Sequence, residues 1–150
     1  MAAARRRLLA VAALVLAPLT VVFSRRAPTI FFPFGSFTPN PTSFTAIWDY
    51  YLRYTNGLPE YLVAWGIAVV LVVLAILSAL SGVVWREDAR VTAALLALAG
   101  ASNLAFAGGF IPRVGYTGVP VGTLLLWTVV WWYYRDAFRR VLAVTERQPD

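Results

Sequence analysis

The sequence predicts an all-α membrane protein with four transmembrane helices and an extra interfacial helix in the first outer loop. Three observations predict it. The chain is 60% hydrophobic and 13% charged, about half the ~25% charge of a soluble domain. Its charges cluster so as to leave four long uncharged windows. Aromatic residues and arginines gather at the ends of those windows, as they do where helices leave a bilayer. The 150 residues suit one domain, and a chain this short has much surface for its volume. Four apolar windows leave too little other chain to bury them.

The first window, Arg7 to Arg25, holds 17 uncharged residues and predicts a span over about 8–24. A crossing takes roughly 20 residues, with a range of about 17–25. Pro18 would kink this helix, which a bilayer helix tolerates. The basic start at Arg5, Arg6 and Arg7 followed by "LLAVAALVLA" is also the pattern of a secretory signal. No small-x-small cleavage site precedes "PLTVVFSRR", which favours an uncleaved anchor.

Residues 25–60 form the first outer loop. Its first half, "APTIFFPFGSFTPNP", carries four prolines and cannot be a regular helix. The second half, "TSFTAIWDYYLRYTNG", predicts an amphipathic helix over about 43–55. Phe44, Ile47, Trp48, Tyr51 and Leu52 recur at helical spacing. Asp49 and Arg53 are spaced as an i, i+4 pair, and the helix would lie at the outer surface.

The remaining windows hold 25, 22 and 21 uncharged residues between Glu60, Arg86, Arg90, Arg113 and Arg135. They predict spans over about 61–85, 91–111 and 117–134. The turn "REDAR" makes the second and third helices antiparallel neighbours, with Asp88 placed to cap the third. Helix four ends in "WWYYRDAFRR", an aromatic belt followed by basic residues. With the N-terminus inside, nine arginines fall on the cytoplasmic side and four (Arg25, Arg26, Arg53, Arg113) outside. Both termini are therefore expected in the cytoplasm of a multi-pass cell-membrane protein.

The composition excludes several chemistries. There is no Cys and no His, hence no disulfide, no thiolate or imidazole zinc site and no imidazole base. All 13 basic residues are Arg, so no Schiff-base or P-loop lysine exists. No catalytic residue, cofactor site or metal site is expected, and no basic module for nucleic acid is visible. No Asp, Glu or Arg lies within a proposed span, which argues against ion-coupled transport.

Weak candidates remain. Asp49, Arg53, Glu60, Arg113 and Tyr116 would share the outer face, either as a solvated charge cluster or as the site of a membrane enzyme or carrier for a lipid-like substrate. Asn103 lies in the third span, where its amide needs a partner, most simply a neighbouring helix. Ala93, Ala97, Ala101, Ala105 and Gly109 form a small-residue stripe, and Gly118 and Gly122 a GxxxG pair. Both suit close helix packing, within the bundle or against another membrane protein. Arg135, Arg139 and Arg140 would attract the anionic headgroups of the lipid bilayer.

The stretches "FFPFG", "YYLRYTNGLPEYLVAW", "EDARVTAALLALAG" and "GYTGVPVGTLLLWTVVWWYY" resemble a small haloarchaeal membrane-protein family of unknown function, encoded near the gene for archaeosortase A. The likeness covers roughly residues 8–134. It implies no catalytic residues, and the missing Cys rules out archaeosortase itself. It does imply a link to the processing or lipid anchoring of surface proteins. The expected function is accordingly an accessory or scaffold protein of the cell envelope.

Overall fold

The computed structural model describes residues 2–25, 27–39, 42–52, 60–86, 88–112 and 114–146. It contains helices α1 (Ala2–Ala13), α2 (Ile47–Leu52), α3 (Glu60–Val84), α4 (Ala89–Gly108), α5 (Val121–Tyr133) and α6 (Arg135–Glu146). It also contains strands β1 (Thr20–Phe23), β2 (Thr29–Phe32), β3 (Gly35–Pro39), β4 (Thr42–Ala46) and β5 (Thr117–Val119). The strands form one sheet in the order β4-β3-β2-β1-β5. Every neighbouring pair is antiparallel.

This sheet overturns the prediction of an all-α, four-span protein. The first uncharged window is not one helix. Helix α1 ends at Ala13, and a tight turn follows in which Leu14, Val15, Leu16 and Ala17 each bond three residues back. Pro18 disfavours helical geometry in the residue before it. Thr20–Phe23 is rich in β-branched and aromatic residues, which suit a pleated surface, and it becomes β1. The fourth window also divides, into β5, Pro120 and a helix of 13 residues. At 1.5 Å per residue α1 and α5 reach about 18 and 20 Å, short of the ~30 Å hydrocarbon core. Only α3 and α4, among the described residues, are long and apolar enough to cross a membrane by length and composition. An uncharged window records avoidance of water, which a buried strand satisfies as well as a lipid-facing helix does.

The expected helix over about 43–55 is also corrected. Residues 42–46 pair with β3, Ser36 opposite Thr45 and Phe37 opposite Phe44. The helix is confined to Ile47–Leu52, and Arg53 to Thr55 lie outside the described residues. The proline-rich half is non-helical as expected. It makes the β2–β3 hairpin, in which Phe32 pairs with Gly35 across Pro33-Phe34, and proline presets the backbone for a tight turn.

Burial alternates along β1. Thr20 and Val22 are buried, and Phe23 is exposed. On β2 the buried residue is Phe31. Its ring meets Trp65 edge-on at 5.3 Å, Phe106 at 5.0 Å and Phe110 at 6.3 Å. The Trp65 indole N–H donates to the Phe32 carbonyl at 3.2 Å. The sheet thus closes over the start of α3 and the end of α4. Helices α3 and α4 pack along their length, with Ala68, Val72, Ala75 and Ala79 of α3 buried. Ser102 donates to the Ala64 carbonyl at 2.7 Å, and Ser78 meets Thr92 at 2.6 Å. Asp88 caps α4 as the sequence predicts, accepting from the Arg90 N–H at 3.0 Å.

Candidate functional site

Asn103 lies at the meeting point of three elements and is fully buried. Its Nδ2 donates to the Leu19 carbonyl at 2.8 Å and to Thr123 Oγ1 at 3.1 Å. Its Oδ1 accepts from Thr20 Oγ1 at 2.9 Å. Thr123 in turn donates to the Gly100 carbonyl at 2.8 Å. The Leu19 carbonyl accepts a second bond, from the Gly122 N–H at 2.6 Å. The amide's donors and acceptor are all used. The knot joins β1, α4 and α5, leaving no polar atom of Asn103 for a substrate. Sequence reasoning foresaw a partner for Asn103 but missed Thr20 and Thr123, because their pairing with residue 103 depends on the unforeseen strand.

The glycines expected to form a helical GxxxG act differently. Gly118 lies in β5 against the Ala107 backbone, and Gly122 in the first turn of α5 against Leu19. A Cβ on Gly118 would sit 2.8 Å from the Ala107 carbonyl oxygen. Gly100, outside the predicted stripe, faces α5: a Cβ there would overlap the Trp127 indole. The stripe itself is rotated out of the interface. Ala93 is buried, but Ala101 and Ala105 are exposed, and the packed face runs through Leu96, Ala99, Gly100 and Asn103.

The outer-face candidates separate along the sheet. Asp49 sits on α2, which leaves the edge strand β4, whereas Tyr116 leads into β5 at the opposite edge. Tyr116 instead shares a hollow of about 270 Å³ with Ser24 and Arg25. Arg53 and Arg113 lie outside the described residues, and Glu60 is described only as the first residue of α3.

Two surfaces remain. The first is an apolar waist: Val63, Ile67, Val70, Leu77 and Val84 of α3 and Leu124 and Trp131 of α5 are each 45% exposed or more. The second is a basic end, opposite the sheet. The Arg7 guanidinium lies 5.1 Å from the centre of the Tyr134 ring, at the elbow between α5 and α6. Arg86, Arg90 and Arg140 line one hollow there, of about 900 Å³, together with Trp85 and Asp88. Arg135 lies over the Trp131 ring at 5.4 Å. Hydrogen bonds to the backbone N–H of Arg90 hold the Asp88 carboxyl below its ordinary value, and the Arg90 charge adds to this.

A helical body capped by an antiparallel sheet at one end and by arginines at the other defines a small sheet-capped helical protein with an apolar waist. The chain belongs to the family described as Domain of unknown function (DUF8050), which matches residues 1–144. No curated protein and no solved structure matches it.

Proposed function

We propose that this protein is a non-catalytic membrane protein of the cell envelope, an accessory or scaffold for the processing or lipid anchoring of surface proteins. The observation that carries the membrane part is the outward face of α3. The most apolar 18-residue stretch within its Leu62–Val84 segment is only 22% buried within the protein, whereas the core helix of a soluble domain hides such a face. Contiguous exposed apolar surface on this scale marks a membrane or partner contact. At 25 residues α3 is about 37 Å long, enough for the ~30 Å hydrocarbon core. The sheet belongs outside that layer, because its edge strands β4 and β5 carry unpaired backbone groups that hydrocarbon cannot satisfy.

The turn between α3 and α4, with Arg86 and Arg90, then faces the cytoplasm by the positive-inside rule, and the sheet faces out. The envelope role rests on the resemblance to the haloarchaeal family encoded near archaeosortase A. The test is purification of the tagged protein from native membranes in mild detergent, combined with gene deletion. The expected result is a stoichiometric envelope-protein partner and altered processing or anchoring of surface proteins in the deletion strain. Recovery of the protein alone, with processing unchanged, overturns the scaffold role. Recovery as a monomer in buffer without detergent overturns the membrane reading.

A further inference from the structure

We infer that the elbow between α5 and α6 holds one anionic phospholipid, its acyl chain in an apolar groove and its phosphate on Arg135 and Arg139. The inference rests on the membrane reading above and adds to it a discrete site. The groove has a volume of about 600 Å³ and lies between α4, α5 and α6, within the ~300–1,000 Å³ range of small-ligand sites. Trp127, Val130, Phe138 and Leu142 make its apolar lining, and Arg135 and Arg139 are the charged residues on it.

The elbow produces this arrangement. Helix α5 stops at Tyr134, whose backbone leaves helical geometry at φ −126° and ψ 14°. The Tyr134 ring is buried. Helix α6 then starts in a new direction and packs on α4 and α5. Phe138 and Leu142, four residues apart, lie on one side of α6, as do Arg135 and Arg139. The Trp131 ring beneath Arg135 fixes its guanidinium, a cation–π contact that also keeps the group at an interface. Among the described residues no carboxylate pairs with Arg135 or Arg139; the ion pair present is Arg90–Asp88. Two cations on the lining of an otherwise apolar slot match a phosphate headgroup beside an acyl chain. Arginine's fork suits phosphate geometry.

Titration of delipidated full-length protein in detergent, read by native mass spectrometry, tests this with dioleoyl phosphatidylglycerol and dioleoyl phosphatidylcholine as probes. The wild type should take up one phosphatidylglycerol, at least tenfold tighter than phosphatidylcholine. Arg135→Gln/Arg139→Gln should lose roughly fivefold in affinity per arginine. Arg86→Gln/Arg140→Gln, which removes equal charge from the neighbouring hollow, should lose less than twofold. Leu142→Trp, which fills the groove and leaves the arginines, should abolish the single tight site. Equal losses in the two double variants, or unchanged binding by Leu142→Trp, would overturn the site while leaving the membrane reading intact. A melting curve of each variant in the same detergent separates lost binding from lost folding. A wild type that needs no detergent fails the membrane reading instead.

Discussion

At the sheet end Phe31 is enclosed by Trp65, Phe106 and Phe110, whereas along α3 Val70 and Leu77 remain more than half exposed. Both regions carry large apolar side chains. They differ in how the backbone is satisfied. In the sheet each strand depends on its neighbours, and β4 and β5 still present open edges, so apolar side chains there must turn inward on the helices. In α3 the backbone bonds are internal, which frees the outer side chains to meet lipid. The comparison therefore separates a region held together by burial within the chain from one whose apolar face is matched to its solvent.

Truncation breaks the comparison most directly. Phe31→Ala should destabilise the protein in detergent by about 3–5 kcal/mol, the range for a buried aromatic. Leu77→Ala on the outer face should stay within about 0.5 kcal/mol. Thermal or denaturant unfolding of the two variants in one detergent measures both. Equal costs would mean that α3 is covered by another part of the protein, and the contrast would be lost.

Asn103→Ala should follow, at about 2–3 kcal/mol. It orphans the Thr20 hydroxyl and removes donors from Leu19 and Thr123 at a buried site where each unmade bond costs about 1–3 kcal/mol. Ser81→Ala, on the exposed part of α3, provides the control and should be near neutral. Next, Gly100→Ala should cost about 1–3 kcal/mol through overpacking against Trp127, while Ala105→Ser on the exposed side of α4 should change stability by less than about 0.5 kcal/mol. That pair sharpens the assignment of which small residues meet α5.

The same contrast explains what the sequence disclosed. The α3–α4 hairpin was legible because its signals are local: two long apolar runs, the short "REDAR" turn and an Asp at the cap. The need of Asn103 for a partner was legible too. The sheet was not. Leu19–Phe23 and Thr117–Val119 were absorbed into uncharged windows, although Pro18, Pro120 and the β-branched run Thr20-Val21-Val22 signalled a break. Short apolar runs are ambiguous between helix and strand. What decides here is the pairing of Val21 with Ile30 on one side and Val119 on the other, and the second contact spans most of the chain. The stripe from Ala93 to Gly109 misled for a related reason. Every fourth residue drifts around a 3.6-residue helix, so a strict four-residue spacing leaves the packed face within a few turns.

The smallest expected effect concerns Asp88, the one carboxylate among the described residues whose titration the structure shifts. Asp88 lies at the basic end, outside the apolar waist, and its carboxyl is held below the ordinary aspartate value of 3.8 chiefly by the Arg90 N–H bond. A depressed folded-state pKa means that the ionised form favours the folded chain. The contribution is therefore full at pH above the unfolded value and is lost as pH falls through the folded one. Asn also caps helices well but does not titrate. Melting temperatures of the wild type and Asp88→Asn, followed from pH 6 down to pH 2, should show a small advantage for the wild type at the upper end that shrinks below pH ~4. Asp88→Ala should lie below both at pH 6, because it loses the cap as well as the charge. A wild-type advantage over Asp88→Asn that grows on acidification has the wrong sign for a stabilised carboxylate and would remove Asp88 from the α4 cap in solution.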